Sequence, residues 1–266
     1  MSAPRRGWMA IRLAVLGSGS GGNATLIETG STRLLLDAGF SCRGLVQRLR
    51  FVGVEPESIG ALLITHEHGD HVAGASSFAR SFGVPIYCTA GTARAAGLSD
   101  GECEVRPLAA GSPLSFDGVV IEPFSVPHDA VETVGYVLEA QGVRLGYATD
   151  LGHAPTVVRE RLRGCDLLIL ESNHDVDLLR LGPYPESVKQ RVLSRHGHLD
   201  NEEAADMLCD VALEGTQAVI LAHLSRTNNR PDLALQAARR GFAARGRKGP
   251  RLHAAEQERP SPWFEA

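Results

Sequence analysis

The chain of 266 residues contains no long hydrophobic run. Its longest apolar stretches, such as residues 167–170 and 218–222, are far shorter than the roughly 20 residues that a membrane-spanning helix needs. The amino-terminal residues also lack the apolar core of a secretory signal peptide. We therefore expect a cytoplasmic protein that makes no use of a membrane.

Cysteine pairs and a strong charge imbalance are also missing. The five cysteines are scattered and form no C-x-x-C pair, so we expect neither a disulfide framework nor a thiolate metal site. The net charge of −4 gives no global basic field. Basic residues are concentrated only near the carboxyl end, where they form either a solvated helix face or a patch that follows a phosphate backbone. This basic cluster comprises Arg226, Arg230, Arg239, Arg240, Arg245, Arg247, Lys248 and Arg251.

Apolar segments typical of strands alternate along the chain with helical patterns. Strands are predicted, for example, at 61–65 and 166–171, and helices at 43–52 and 231–244. This mixture indicates an α/β fold, and a sandwich of two sheets with helices outside would bury all the strands.

The chain divides into one folded domain and two short ends. Residues 1–8 are predicted to be a disordered extension, and residues 9–245 to be a single folded domain. From residue 246 the sequence loses its periodicity, so residues 246–266 are predicted to be a disordered tail.

The most informative segment is 61–71, a hydrophobic strand that leads directly into His66, His68, Asp70 and His71. Alternation in an extended chain points the imidazoles of His66 and His68 the same way, so both can bind one cation. Asp70 and His71 start the next element and can face a second position nearby. Carboxylate and imidazole ligands suit zinc, manganese or iron, and two adjacent metals indicate hydrolysis.

Four further ionisable residues follow apolar strands, which is where scaffolded sites usually lie. They are Asp37, His128, Asp150 and His223. A single residue of this kind is more often a cap or turn residue, but four together with the histidine-rich loop indicate one site.

With these motifs the chain resembles the metallo-β-lactamase-fold hydrolases, which form a four-layer αββα sandwich. It is most similar to the nuclease and phosphodiesterase branch, which includes enzymes that process tRNA 3′ ends, and within it to the YycJ-like bacterial group. The motifs that carry the resemblance are Gly-Ser-Gly-Ser-Gly-Gly-Asn at 17–23, Ser-Val-Pro-His-Asp-Ala at 125–130, Glu-Ser-Asn-His-Asp at 171–175, Gly197-His198 and Ala-His-Leu-Ser at 222–225.

The resemblance implies two divalent metal ions, zinc or manganese, and a ligand for each position. The first metal would be bound by His66, His68 and His128, and the second by Asp70, His71 and His223. Asp150 would bridge the two metals, and Asp37 would fix the loop and orient a ligand. True β-lactamases of this fold have a cysteine where this chain has Asp150, which argues against antibiotic hydrolysis.

Three more residues are implied near the reaction. Glu171 would orient His198, raise the pKa of its imidazole and leave a cation that can donate to a phosphoryl oxygen or to the leaving group. The alternative for His198 is a helix-start residue with no chemical role. His174 either stabilises the pentacoordinate phosphorus or is a structural residue of its loop.

Predicted substrate contacts lie in three segments, each with a structural alternative. Ser18, Ser20 and Asn23 belong to a glycine-rich segment that either cradles a phosphate or simply connects two strands. Tyr184 lies in a basic segment, 177–195, that is either a substrate flap or a solvated helix. The adjacent Asn228 and Asn229 are either phosphate donors or turn residues.

The resemblance therefore implies a dinuclear-metal phosphodiesterase in which a metal-bridging hydroxide attacks phosphorus in line. The resemblance implies a nucleic acid substrate, with DNA favoured and a 5′ to 3′ exonuclease as the specific form. One alternative is a small-molecule ester, thioester or cyclic-phosphate hydrolase of the same fold. Another is a non-catalytic regulator that binds metal or nucleic acid.

Overall fold

The computed structural model describes residues 11–266 apart from 31, 99, 100 and 102. Among them, two seven-stranded sheets form the centre of the molecule. The first sheet comprises β1 (Arg12–Gly17), β2 (Ala24–Thr29), β3 (Thr32–Leu36), β4 (Ala61–Leu63), β5 (Ile86–Thr89), β6 (Val105–Leu108) and β14 (Phe264–Glu265). Its strand order is β14-β1-β2-β3-β4-β5-β6.

The second sheet has the order β13-β12-β11-β10-β9-β8-β7. It comprises β7 (Leu114–Phe116), β8 (Val119–Ser125), β9 (Val134–Ala140), β10 (Val143–Ala148), β11 (Leu167–Glu171), β12 (Ala218–Ala222) and β13 (Arg251–Ala254). Both sheets combine an antiparallel series with parallel strands, which are β3 to β6 in the first and β10 to β13 in the second.

Helices lie outside the two sheets, some packed on the outer faces and others at the rim. They are α1 (Cys42–Phe51), α2 (Gly69–Val72), α3 (Ala75–Phe82), α4 (Ala90–Ala95), α5 (Thr156–Leu162), α6 (Val176–Leu181), α7 (Glu186–Val192), α8 (Asn201–Val211) and α9 (Pro231–Ala244). No helix among the described residues is long and apolar enough to cross a bilayer.

Alternate residues of a strand face opposite sides of its sheet, so each sheet can bury apolar side chains on both faces. Three apolar cores therefore lie between the four layers. Leu34 and Leu36 of β3 lie in the core between the sheets, whereas Leu35 packs outward with Leu45 of α1 and Phe78 of α3. A third core joins the second sheet to α5, α8 and α9. The predicted α/β class and four-layer αββα sandwich are confirmed.

The strand directions bring several loops to one rim of the sandwich. In the first sheet β1, β3 and β4 run the same way, because β2 is antiparallel to both β1 and β3 while β4 is parallel to β3. In the second sheet β8, β10, β11 and β12 likewise share one direction. The segments that follow these strands carry the predicted metal ligands.

The carboxyl end differs from the prediction of a disordered tail at 246–266. Residues Arg251–Ala254 form β13, which pairs in parallel with β12, and Phe264 of β14 is buried opposite Leu13 of β1. This order depends on pairing with distant strands, which no local periodicity reveals. The predicted disordered extension at 1–8 lies outside the described residues.

Four of the eight residues of the basic cluster near the carboxyl end form ion pairs with acidic neighbours among the described residues. Arg245 pairs with Asp206 and Asp210 of α8, and Arg240 pairs with Glu202. Arg226 pairs with Glu258. These ion pairs favour the solvated helix face over the phosphate-binding patch.

Candidate metal centre

Three imidazoles from two loops converge at the rim. His66 and His68 follow β4, and His128 follows β8. His68 Nδ1 lies 3.1 Å from His66 Nε2 and 3.3 Å from His128 Nε2. The structure thus brings together the three residues predicted for the first metal.

A second group lies beside the first and contains a carboxylate. Asp70 and His71 belong to the short helix α2, and His223 follows β12. Asp70 Oδ2 is 3.3 Å from His223 Nε2 and 3.6 Å from His71 Nε2. These are the three residues predicted for the second metal.

Asp150 stands between the two groups, at the end of β10. Its Oδ1 atom lies 3.7 Å from His128 Nε2 in the first group, and its Oδ2 atom lies 3.2 Å from His71 Nε2 in the second. The Oδ2 atom is buried, and apart from this contact with His71 it has no hydrogen-bond partner among the described residues. A buried carboxylate oxygen with so few partners is costly unless a cation binds it.

The spacing of these atoms suits a divalent cation. Ligands about 2.05 Å from a tetrahedral zinc ion are separated by about 3.3 Å, close to the distances within both groups. Imidazole and carboxylate donors also fit zinc or manganese chemically. The residues present therefore fit divalent metal binding.

Three of the site residues adopt a left-handed backbone conformation that side chains other than glycine rarely take. Asp37, Asp150 and His223 have φ values of 62°, 59° and 54°. Asp37 and His223 follow a strand directly, and Asp150 lies two residues after one, so the conformation turns each side chain near a strand end. Such strain, about 1–3 kcal/mol per residue, persists only where the surroundings hold it in place.

Asp37 is fully buried and connects the metal loop to both sheets. Its Oδ1 atom accepts hydrogen bonds from the Thr65 backbone N–H and hydroxyl, at 2.8 and 3.0 Å. Its Oδ2 atom lies 2.8 Å from His71 Nδ1 and accepts a 3.3 Å hydrogen bond from the Tyr147 hydroxyl. This contact directs His71 Nε2 towards Asp150 and Asp70. Sequence reasoning missed the roles of Thr65 and Tyr147, which carry no local motif.

Glu171 and His198 meet at the edge of the metal groups. Glu171 Oε1 lies 2.8 Å from His198 Nδ1 and 3.0 Å from His223 Nδ1, while its Oε2 atom accepts hydrogen bonds from the Leu151 and Leu199 backbone N–H groups. The carboxylate therefore orients both imidazoles. His198 remains partly exposed and lines the pocket described below.

The ionisable groups perturb one another strongly. Burial lowers the pKa of His71, but Asp150 and Asp37 outweigh it and raise the pKa to about 10. Burial also opposes the pKa shifts of Glu171 and His198. Glu171 raises the pKa of His198, whereas His198 and His223 lower the pKa of Glu171 to about 2. Without a cation, protonated imidazoles balance the buried carboxylates, and a bound metal would take the place of those protons.

The glycine-rich segment supports the site from behind. Ser18 Oγ accepts a 2.8 Å hydrogen bond from the His223 backbone N–H. The Asn23 side-chain amide lies 3.0 Å from His71 Nε2 and donates to Asp70 O. Ser20 is exposed and lines the pocket. Of the three predicted substrate contacts in this segment, Ser18 and Asn23 are thus placed as supports of metal-site residues.

Four other predicted residues do not reach the pocket lining. Asn229 is buried and donates to Ser172 O, and Asn228 is buried with its Oδ1 atom lacking a hydrogen-bond partner in the part of the chain that the structure describes. Tyr184 is partly exposed in the segment before α7. His174 is 1% exposed, and neither ring nitrogen has a partner among the described residues.

A pocket of about 380 Å³ opens over the metal groups. Its floor includes His68, Asp70, His128, Asp150, His198 and His223. One wall is formed by α7 through Val188, Arg191 and Val192, and Asp129 lies beside them. The segment 177–195, predicted as a substrate flap, thus contributes one helix to the pocket.

Comparisons with known proteins agree with this geometry. The family profile of the β-lactamase superfamily domain matches residues 32–224. The chain is 34% identical over 229 residues to exodeoxyribonuclease YycJ of Bacillus anthracis, covering 85% of this chain and 87% of that relative. It is also 34% identical over 231 residues to exodeoxyribonuclease WalJ of Streptococcus pneumoniae, covering 85% and 86%.

Among solved structures, the metallo-β-lactamase-fold protein YhfI from Bacillus subtilis superposes with a TM-score of 0.74 at 19% identity, covering 96% of this chain and 99% of that one. This likeness concerns the fold alone. The family match covers most of the chain and includes the metal-binding loop. The chain therefore belongs to the β-lactamase superfamily, as a metal-dependent hydrolase with the metallo-β-lactamase fold.

Proposed function

We propose that the protein is a nuclease that hydrolyses phosphodiester bonds in DNA with two divalent metal ions. The observation that carries this proposal is the position of Asp150 between two groups of three ligands, with its two oxygens facing different groups. His66, His68 and His128 would bind one ion, and Asp70, His71 and His223 the other, with Asp150 shared. Zinc and manganese both suit these donors.

Two bound ions would supply a water of lowered pKa as the nucleophile and would neutralise charge on the phosphoryl oxygens. The protein's own residues orient the reaction. Glu171 holds His198 at the pocket edge with a raised pKa, so His198 can donate a proton to a phosphoryl or leaving oxygen. No covalent intermediate with the protein is required.

The proposed substrate follows from the relatives that match most of the chain. YycJ and WalJ are named exodeoxyribonucleases and share 34% identity over 85% of it. We therefore infer DNA as the polymer and exonucleolytic cleavage as the mode, and we take the 5′ end as the starting point from the sequence resemblance alone. His174 and Tyr184, which lie outside the pocket lining, are assigned no contact with the substrate in this account.

The proposal is tested with 5′- and 3′-labelled single- and double-stranded DNA and RNA, with Mn²⁺ or Zn²⁺ added. We expect stepwise, metal-dependent loss of nucleotides from the 5′ end of DNA and none with Asp70→Ala. A thioester, a lactone and a cyclic nucleotide are assayed in parallel. Turnover of one of these with no cleavage of nucleic acid would replace the proposal with the small-molecule hydrolase.

A further inference from the structure

The helix α7 presents an uncovered face to the metal pocket. It buries none of its seven residues, from Glu186 to Val192. Val188, Arg191 and Val192 are three and four positions apart, so they share one face, and all three line the pocket. A helix of this length draws its stability from packing an apolar face, and here that face meets the pocket.

The face is nevertheless fixed relative to the metal groups. The His198 backbone N–H donates a 3.0 Å hydrogen bond to Val192 O at the end of α7. A Cβ atom on Gly197 would lie 2.1 Å from Val192 O, so only glycine allows this close approach. The Asp129 N–H also donates to His196 O at 3.0 Å. The carboxyl end of α7 is therefore attached to the loops of His198 and His128.

Arg191 carries the positive charge of this face. Its Nε atom donates to Asp129 Oδ2 at 2.5 Å, and its side chain remains 65% exposed. The Nη groups make no hydrogen bond to the described residues, and a guanidinium can contact a carboxylate and a phosphate together. Lys189 and Arg195, two other basic residues of the segment 177–195, do not line the pocket. Lys189 donates to Arg180 O, and Arg195 contacts His153.

We propose that α7 is the wall that holds the substrate strand. Arg191 binds a backbone phosphate of the nucleotide adjacent to the scissile bond, and Val188 and Val192 contact the sugar or base of that nucleotide. Asp129 keeps the guanidinium in the pocket before substrate binds. This inference rests on the proposed nuclease function and assigns specific residues to strand binding.

The test compares two substrates of the metal-loaded enzyme. A labelled single-stranded oligodeoxynucleotide offers several phosphates and nucleosides, whereas bis(p-nitrophenyl) phosphate offers one phosphate and no nucleoside. Arg191→Gln is expected to raise KM for the oligonucleotide about 10- to 100-fold and to leave kcat nearly unchanged. Turnover of bis(p-nitrophenyl) phosphate should stay within about twofold of wild type.

A matched variant and salt dependence complete the test. Arg180→Gln removes an exposed charge from α6 that does not line the pocket. KM and kcat for both substrates should therefore be unchanged in this variant. Arg191→Gln should also reduce the slope of log(kcat/KM) against log salt by about 0.7, the value for one phosphate contact on a single strand. Arg191→Lys should recover part of the affinity, because the charge is kept.

Two results would overturn the inference while leaving the nuclease intact. One is an equal loss of activity towards both substrates in Arg191→Gln, which would make Arg191 a structural partner of Asp129. The other is an oligonucleotide KM unchanged by Arg191→Gln. If wild-type enzyme cleaves bis(p-nitrophenyl) phosphate but no oligonucleotide, the proposed nuclease function itself fails, and the inference fails with it.

Discussion

At the scale of single residues, the site depends on strained backbone held in place by hydrogen bonds. Asp37, Asp150 and His223 each occupy the left-handed region within two residues of a strand end. Asp37 accepts bonds from Thr65 and Tyr147 on opposite sheets. The strained residues are thus those that bind or orient the metal, and hydrogen bonds from neighbouring residues hold them in this conformation.

Replacing Asp37 with asparagine tests this support. Asparagine tolerates the left-handed backbone, but its amide would face the donors that now bond Oδ2. We expect metal affinity to fall about 10- to 100-fold, as measured by competition with a chelator. The matched variant is Asp117→Asn, at φ 45° in a turn and bonded to Thr32. Equal metal affinity in both variants would contradict the role given to Asp37.

The pairing of Glu171 with His198 predicts strong non-additivity. His198→Ala should lower kcat by about 10² to 10⁴ because a positioned proton donor is lost. Glu171→Gln in the His198→Ala background should then lower kcat far less than it does alone. A double-mutant cycle on kcat, with metal content measured for each variant, checks this. Additive losses would show that the two residues act independently.

At the scale of elements, the local sequence pattern predicts strands and metal-ligand residues well. It predicts poorly those segments whose structure depends on contacts with distant parts of the chain. The strand at 61–65 and the histidines after it were predictable, because apolar runs and metal-binding residue types are encoded locally. The segment 177–195 was predicted as either a substrate flap or a solvated helix, but the face of α7 that lines the pocket was not predictable, since that helix buries no residue. The strands β13 and β14 escaped prediction because their order comes from pairing with β12 and β1.

The contact between α7 and the His198 loop predicts the effect of a single methyl group. Gly197→Ala would place Cβ 2.1 Å from Val192 O and 2.3 Å from Arg191 O. We expect a loss of about 1–3 kcal/mol in unfolding free energy, together with reduced activity from displacement of His198. Gly215→Ala is the control, because a Cβ there meets nothing within 4 Å. Equal thermal unfolding midpoints for the two variants would argue against this close packing.

At the scale of the whole molecule, the carboxyl-terminal segment packs against the glycine-rich segment beside the site. The Gln257 side chain accepts a 2.7 Å hydrogen bond from Gly21 N–H and donates one of 2.7 Å to Gly22 O. It thereby fixes the glycine-rich segment that carries Ser18 and Asn23. The carboxyl-terminal segment, predicted from its composition to be disordered, is thus part of the support of the metal centre.

This support predicts that a distant residue controls metal binding. Gln257→Ala should weaken metal affinity and reduce the rise in unfolding temperature that metal produces, because Ser18 and Asn23 lose their fixed loop. Gln217→Ala, at an exposed position before β12, should change neither quantity. An unchanged response to metal in Gln257→Ala would show that the loop holds its shape unaided.

The proposed cleavage of phosphodiester bonds by two ions in this pocket can be tested directly. The most direct measurement follows cleavage of a 5′-labelled DNA strand while metal-free protein is titrated with Mn²⁺ or Zn²⁺ and bound metal is counted. We predict no cleavage without metal and a rate that rises until two ions are bound per chain. Cleavage that is independent of metal, or equal in wild type and Asp70→Ala, would contradict the account.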